Sequence, residues 1–506
     1  MSVSMNIILE LATIYSSAVL YAVLSRLKGF RNRKVAITWI VATYLLALFF
    51  FYSAFREYSV LERRLVYFGG GLFKAAAVDS LSLFINFIIL SAASLMLIHS
   101  IQKIDLELKE SGDFIALALS LIATTIFVTV SNNFLVFLIL WEAATASVIG
   151  VLSFEAKKEE SGEALIKMIF MALISSIFML ISIILIYISL TPYVKPSIIT
   201  LNFDQAMTAL SRVKGFELVL ALLSFALIVA GLGIEIGLPP FYMWLPDVYT
   251  GSRPHAVSLM VLTLEVAGAY AIARIIGVYS LLPASLGVLT LPMLILIVFS
   301  ILSILVGEAS ALVQRKLRRI LGYSAVADAG YIVLLSLFFV SLKTPPIGET
   351  ASYALPLAYF IAVSNISLAT AVALIGLVEE RGVDTLDSAR GLVREDSLLT
   401  VMTVICIMSV FGVPPLAGFI AKFFVISAIA STANQVLVYV AVIAAILFVV
   451  SAAYGLRIVQ YFCVYEREKV ECPRRVCRSY LVPLMILVCL LLLAGIYPPL
   501  ITFLFM

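Results

Sequence analysis

Five ionisable side chains lie inside long apolar stretches of this sequence. They are Glu142, Lys167, Glu235, Glu265 and Lys422. At roughly 3 kcal/mol for each charge inside a membrane-spanning helix, exposing all five to lipid costs ~15 kcal/mol. That matches or exceeds the net stability of a typical folded protein. One such residue alone can be a clamp between helices, but five together are expected to face one another, broken helices or water, and to handle ions.

Two proline pairs interrupt apolar stretches in the same local pattern. The residues that break the two helices are Gly237, Pro239 and Pro240 in the first and Gly412, Pro414 and Pro415 in the second. Proline removes a backbone donor and clashes with the preceding turn, so each pair should end its helix. Freed backbone groups within a membrane must be buried in protein or line a wet cavity. Glu235 stands just before the first break, which places an acid beside free backbone groups.

The composition excludes a soluble globular protein. Hydrophobic residues make up 63% of the chain and charged residues 13%, whereas soluble domains carry about 25% charged residues. A membrane-spanning helix needs about 20 apolar residues, and we count about fourteen such stretches, the ninth near 282–306. The predicted fold is an all-α polytopic membrane protein with about fourteen transmembrane helices and two Pro-broken helices.

The broken helices divide the chain into blocks. Each is the fourth span of a five-span block, and interrupted helices at corresponding positions of two halves indicate an inverted-repeat transporter. We predict three N-terminal helices in 1–112, a first inverted repeat in 113–279, a second in 280–463, and a loop with a last helix in 464–506.

Basic residues concentrate in three loops, 26–34, 315–319 and 467–478. Each of these charge runs also suits a plain solvated surface. With fourteen spans the three loops fall on one side, which the positive-inside rule assigns to the cytoplasm. Both termini are then expected outside.

The sequence predicts no metal site and no cofactor. The chain has five cysteines and two histidines, and the pair Cys472 and Cys477 lacks the Cys-x-x-Cys spacing of common metal sites. It also lacks a nucleotide-binding fingerprint, a haem motif and iron–sulfur spacing. Electron transfer is therefore not expected in this chain.

Several motifs resemble one known family. The pattern G-x-x-P-x-x-x-W-L-P-D, from Gly237 to Asp247, resembles the antiporter-like membrane subunits shared by respiratory complex I, membrane-bound hydrogenases and Mrp cation/proton antiporters. The resemblance runs from about Val78 to the C-terminus. The Trp-Glu at Glu142 is similar to the family's fifth-helix motif, Lys167 to its sixth-helix lysine and Lys422 to its twelfth-helix lysine.

The match continues near residue 320 and then shows departures. Arg318 stands at the family's usual lysine in a motif similar to D-L-K-R-x-L-A-Y-S-S, and Asp328 stands where Gln or His is frequent. Glu235 occupies the place of the central seventh-helix lysine. Glu265 aligns with an eighth-helix lysine, and the eleventh span offers only Asn365 where relatives have His or Lys.

The resemblance implies a subunit that translocates H⁺, Na⁺ or both within a redox-driven complex in a prokaryotic cell membrane. Its partners would be other membrane subunits, including small antiporter-type ones, and a peripheral redox module; nucleic acid is not expected. The implied ion path contains Glu142, Lys167, Glu235, Glu265, Arg318, Asp328 and Lys422.

Three other functions stay open. The chain could belong to a secondary Mrp-type antiporter, or the loss of two basic residues could leave a non-pumping structural subunit. An unrelated permease is a distant alternative, because it would not explain the combined motifs.

The geometry expected of an ion path is a mid-depth polar chain from Glu142 to Lys422. Its neighbours must lie within hydrogen-bond reach or be bridged by water. The nearest base expected for Glu235 is Lys167, and the nearest acid is Glu142.

Overall fold

A computed structural model describes most of the chain. The described residues are 3–60, 66–67, 76–108, 110–154, 159–194, 201–283, 285–286, 289–342, 351–465 and 478–499. Most of the third basic loop, with Cys472 and Cys477, lies outside these ranges.

Helices form nearly all of the described structure. In the N-terminal part they are α1 (Val3–Leu24), α2 (Arg33–Val60), α3 (Ser80–Ile101), α4 (Ser111–Val130), α5 (Phe134–Ser153), α6 (Glu159–Leu190), α7 (Phe203–Leu210), α8 (Gly215–Glu235), α9 (Trp244–Gly251) and α10 (Pro254–Leu281). In the C-terminal part they are α11 (Leu291–Val313), α12 (Leu317–Leu342), α13 (Ala351–Glu379), α14 (Ser397–Val410), α15 (Ala417–Ala430), α16 (Gln435–Cys463) and α17 (Val482–Ile496). Two short antiparallel hairpins join β1 (Val66–Tyr67) to β2 (Ala77–Val78) and β3 (Ser285–Leu286) to β4 (Leu289–Thr290).

The helix lengths and burial are those of a multi-span membrane protein. Within the described residues, 12 helices are long and apolar enough to cross a membrane, while α14, α15 and α17 are apolar but shorter. Helix α13 is 100% buried over its most apolar window, and α10 is 94% buried, whereas α2 and α16 are only 28% buried. Exposed apolar side chains such as Phe49 and Val449 on the outer helices suit contact with lipid. The centre of the bundle is therefore formed by α10, α12 and α13.

Polar contacts separate two ends of the bundle. At one end, which we call the basic face, Arg26 pairs with Asp113 at 2.7 Å and Lys103 with Glu380 at 2.8 Å. The segment 315–319 lies at the same end, where the backbone of Lys316 pairs with the backbone of Thr385. At the other end, the opposite face, Asn133 donates to Asn202 at 2.8 Å. These contacts place the ends of α1, α3 and α13 and the starts of α4 and α12 at the basic face, and the starts of α5 and α7 at the opposite face.

Both proline pairs interrupt their helices, and the two breaks have the same backbone pattern. Helix α8 ends at Glu235 and α9 begins at Trp244; α14 ends at Val410 and α15 begins at Ala417. Gly237 and Gly412 have left-handed φ angles of 77° and 67°. The next amide in each case bonds to a carbonyl five residues back, at 2.6 Å for Leu238 and 2.8 Å for Val413. This is the Schellman arrangement, which satisfies carbonyls at a helix end.

Candidate ion-translocation site

A buried lysine between two buried acids forms the centre of the C-terminal half. The Nζ atom of Lys422 lies 3.5 Å from Asp328 Oδ1 and 3.9 Å from Glu308 Oε1. The exposed fractions of the Lys422 and Glu308 side chains are 2% and 1%. A charge buried this deeply is tolerated only when paired. We call Glu308, Asp328 and Lys422 the C-terminal cluster.

Hydroxyl groups hold the two acids of the C-terminal cluster. Tyr454 donates to Glu308 Oε2 at 2.7 Å, and Ser364 donates to Asp328. Lys422 donates to Ser451 at 3.3 Å. Each carboxylate thus has one fixed donor, and the ammonium lies within ion-pair range of both. This arrangement lets Lys422 approach either acid through a small movement.

The second helix break positions Lys422. It lies on α15, which starts directly after Pro414-Pro415, and Ser451 of α16 links the two parts of the break. The Ser451 hydroxyl donates to the carbonyl of Phe411 at 3.0 Å while it accepts from Lys422. The free carbonyl at the end of α14 is therefore connected to the lysine.

A small cavity joins Glu265 of α10 to the C-terminal cluster. It has a volume of about 20 Å³, and Glu265, Asp328, Ser364 and Asn365 are among its lining residues. That volume suits about one water molecule. Tyr249 donates to both Glu265 oxygens, at 2.9 and 3.1 Å. One water in this cavity could therefore bridge carboxylates of α10 and α12.

Two acids of the N-terminal half, Glu142 and Glu235, have no ion-pair partner among the described residues. Glu142 of α5 accepts from Ser176 of α6 at 2.6 Å. Glu235, at the end of α8, is 5% exposed, and its Oε1 has no hydrogen-bond partner among the described residues. Ser175, Glu142 and Trp141 are neighbours of Glu235.

Lys167 does not pair with Glu235, so the expectation that it supplies the base for that acid is wrong. Its Nζ atom contacts Asp247 at 2.7 Å and Glu163 at 2.6 Å, and 43% of the side chain is exposed. Glu163 stands one helical turn away on α6, and α9 places Asp247 beside the same turn. The acids at the basic face therefore hold the ammonium away from the buried Glu235.

Arg318 fixes the end of the first broken helix. It donates to the carbonyls of Tyr249 and Ser252 at 2.8 and 2.6 Å and to Glu379 of α13 at 2.8 Å. A guanidinium at a helix C-terminus satisfies free carbonyls and opposes the helix dipole. Its position is structural as well as electrostatic.

Polar cavities open beside Arg318 and Lys167. The larger, about 590 Å³, has His255, Lys103 and Arg318 among its lining residues. A second, about 330 Å³, is lined by Lys167 and Asp247 among others. Lys167 and Arg318 thus lie in cavities of the basic face. The full chain of contacts from Glu142 to Lys422 stays a prediction.

Glu308 is a site residue that the sequence did not reveal. The predicted ninth span ended near 306, but α11 runs to Val313 because the β3–β4 hairpin occupies its expected start. An acid in the last three turns of an apolar helix was the available signal. It was obscured by the neighbouring basic loop 315–319.

Comparisons with known proteins identify the family of this chain. Residues 131–448 match the family model described as NADH:quinone oxidoreductase/Mrp antiporter, TM. NADH-quinone oxidoreductase subunit N 2 of Acidobacterium capsulatum is 29% identical over 392 residues, which is 76% of this chain and 75% of the relative.

Two solved structures share the fold. One is from the membrane-bound sulfane sulfur reductase, an archaeal respiratory membrane complex, with a TM-score of 0.79, 20% identity and coverage of 98% of this chain and 96% of the other. The other is from the Mrp complex of Dietzia sp., with a TM-score of 0.79, 18% identity and coverage of 99% and 96%. The chain belongs to the family of membrane subunits found in NADH:quinone oxidoreductases and Mrp antiporters.

Proposed function

We propose that this chain translocates H⁺, Na⁺ or both as an antiporter-like subunit of a larger respiratory membrane complex, whose other subunits transfer electrons. The observation that carries the proposal is the C-terminal cluster. A fully buried lysine lies between two acids and beside a broken helix, an arrangement that allows a charge to be exchanged between neighbours. Intramembrane ionisable groups of this kind mark ion pathways.

The directions of the broken helices support two inverted repeats. Helices α8 and α9 run from the opposite face to the basic face, and α14 and α15 run the other way. With α14 and α15 counted as one broken span and α17 as the last, the described residues form fourteen spans in this proposal. The repeats are then 113–279 and 280–463, after N-terminal helices in 1–112 and before 464–506.

The chain's orientation follows from its basic face. The positive-inside rule puts Arg26 and the loop 315–319 in the cytoplasm, so both termini lie outside a prokaryotic cell membrane. Partners are other membrane subunits, small antiporter-type subunits and a peripheral redox module.

A non-pumping structural role is the second candidate. The observation in its favour is that the described core of the N-terminal half places no cation against Glu235. A secondary antiporter without a redox partner is the third, in line with the similarity to the Mrp complex.

Glu235→Gln tests the proposal, because it keeps the size of the side chain and removes its capacity to carry charge. We expect fewer ions translocated per electron in membrane vesicles that contain the whole complex, with assembly intact. Proton uptake and sodium uptake are measured separately, with a pH-sensitive dye and radioactive sodium.

Glu10→Gln is the matched control. Glu10 of α1 is also fully buried, and its oxygens have no hydrogen-bond partner among the described residues, but it lies outside the proposed path. Translocation at the wild-type rate in Glu235→Gln would favour the structural role.

A further inference from the structure

Another buried charged residue lies near the opposite face, away from the residues discussed above. Arg274 of α10 is only 2% exposed. Its NH1 atom donates to the carbonyl of Thr129 on α4 at 2.7 Å and to the Tyr270 hydroxyl at 2.6 Å. The guanidinium thus connects α4 and α10 near the ends of these helices that lie at the opposite face.

Several polar atoms around Arg274 lack a partner among the described residues. They are Arg274 Nε and NH2, Asn86 Nδ2 and Asp79 Oδ2. Asp79 is 1% exposed and Asn86 is fully buried. The Tyr270 hydroxyl, which accepts from Arg274, has Asp79 as a second charged neighbour. Thr129 links Asn86 to Arg274, because its hydroxyl donates to Asn86 Oδ1 and its carbonyl accepts from Arg274. Asp79 lies two turns before Asn86 on the same side of α3. Three donor atoms and one acceptor atom without partners among the described residues therefore lie in one buried region.

Water is the ligand that this mixture of groups fits. Burying a neutral polar group without a hydrogen bond costs about 2–7 kcal/mol, and burying a charged group without one costs more. An anion would satisfy the donors but repel Asp79, and a metal cation would do the reverse. A water molecule accepts from the guanidinium or the amide and donates to the carboxylate, and buried waters usually make about three such bonds.

The cluster lies one layer beneath the protein surface. The Phe203 ring of α7 packs against the Arg274 guanidinium, 5.5 Å from its central carbon. The adjacent Asp204 is half-buried, accepts from Tyr67 at 3.1 Å and accepts from Asn132 at 3.3 Å. Polar groups thus continue from Asp79 toward the opposite face.

We propose that Asp79, Asn86, Tyr270 and Arg274 enclose a hydrated route that gives the N-terminal half its own proton access to the opposite face. This inference rests on the proposed function. Asp79 takes a proton from water on one side and returns it to water on the other, with no net chemistry. Na⁺ would need several oxygen ligands, and the atoms of this cluster without partners among the described residues are three donors and one acceptor. A proton needs only hydrogen-bonded water and the Asp79 carboxylate, so the ion is a proton.

The decisive variant is Asp79→Asn. Asp79 Oδ1 accepts from the Ser82 amide at 2.7 Å and so caps α3. Asparagine is an equally good N-cap, so the fold is preserved while the proton carrier is lost. In vesicles with the complete complex, we expect proton translocation per electron to fall at least two-fold, to the level of the Glu235→Gln variant.

Ser82→Ala is the matched control for a purely structural role. It removes the reciprocal hydroxyl of the same cap, which accepts from the Asp79 amide at 2.9 Å, and leaves the carboxylate in place. We expect a lower melting temperature and unchanged proton translocation. If Ser82→Ala and Asp79→Asn lose translocation equally, the cluster acts only through the fold and the route is overturned.

The remaining outcomes separate the two proposals. Loss in Glu235→Gln with wild-type translocation in Asp79→Asn overturns the route alone. No loss in either variant overturns the proposed function with it. Loss of radioactive sodium uptake, with proton uptake unchanged in sodium-free buffer, would show that the route carries Na⁺ instead.

Discussion

The two halves of the chain end their broken helices in the same way but distribute charge differently. The breaks at Gly237 and Gly412 share the left-handed glycine and the carbonyl bond five residues back. In the C-terminal half Lys422 is 2% exposed between two acids. In the N-terminal half Lys167 is 43% exposed, at a cavity of the basic face.

This difference shows that the backbone structure of the helix break and the arrangement of charges around it vary independently. A Schellman end and a proline pair need only local sequence, whereas a buried ion pair needs matching residues on several helices. The acids of the N-terminal core must therefore be neutral, hydrated or bound to a cation from solution, because an uncompensated buried charge is too costly.

The largest effect is expected from Lys422→Met, because only the C-terminal half has a lysine buried between two acids among the described residues. Removing the ammonium leaves Glu308 and Asp328 facing each other without a cation. Breaking a buried pair from one side costs about 3–5 kcal/mol. We expect a markedly lower apparent melting temperature of the purified complex and loss of ion translocation.

Lys214→Met, which replaces an exposed lysine, is the control for Lys422→Met. It should leave the melting temperature unchanged. Equal melting temperatures for Lys422→Met and the wild type would mean that Lys422 forms no stabilising ion pair with Glu308 or Asp328.

Replacing Gly237 or Gly412 by alanine compares how tightly the two helix breaks are packed. A Cβ at Gly412 would lie 2.3 Å from the Phe448 ring, and one at Gly237 would lie 2.7 Å from a methyl group of Leu245. Both positions have left-handed φ, which costs an alanine about 1–2 kcal/mol. Because an aromatic ring yields less than a leucine methyl, Gly412→Ala should lower the melting temperature more than Gly237→Ala.

The opposite order of these two glycine variants would contradict the packing argument. Gly382→Ala is the reference. Its φ of 78° is also left-handed, but nothing lies within 4 Å of the added Cβ. Gly382→Ala therefore measures the cost of the left-handed backbone alone, without a steric clash.

The sequence predicts the helical fold and both breaks because these depend on local features. Apolar stretches of membrane-spanning length and Gly-x-Pro-Pro patterns act within one helix. The pairing of Lys167 was mispredicted because it depends on which neighbour a helix face meets. Lys167 forms its ion pairs with Asp247 of α9 and Glu163 of α6 instead.

Glu308 and Arg274 illustrate a second limit. Glu308 was missed through a shifted span boundary, and Arg274 stands in the motif region without matching any motif position. Their importance follows from burial and partners, which only packing reveals.

Arg318→Ala tests how the first break is held at its basic-face end. The side chain makes three charged hydrogen bonds, to Tyr249, Ser252 and Glu379. A hydrogen bond to a charged group contributes about 1.5–3 kcal/mol when buried, and Arg318 is 13% exposed. We expect destabilisation by about 2–3 kcal/mol, measured as a lower melting temperature.

Arg315→Ala is the matched control for Arg318→Ala. Arg315 lies three residues before Arg318 but is 77% exposed, and its contact with Asp387 is 3.4 Å long. Exposed pairs contribute about 0–1 kcal/mol. A similar loss in both variants would mean that the loop charge, and not the cap on α9, stabilises the break.

The smallest effect is expected at Lys167, and it decides whether the N-terminal lysine has any link to the core acid. Because this side chain is 43% exposed, its pair with Asp247 should contribute about 0.2–1 kcal/mol. A double-mutant cycle of Lys167→Met with Asp247→Asn should give a coupling energy of that size. The cycle of Lys167→Met with Glu235→Gln should give a coupling near zero, since the ammonium lies on other acids. Heat denaturation of the purified complex measures both cycles. A Lys167–Glu235 coupling above about 1 kcal/mol would show that the lysine reaches the broken helix after all, and the two halves would then share one charge arrangement.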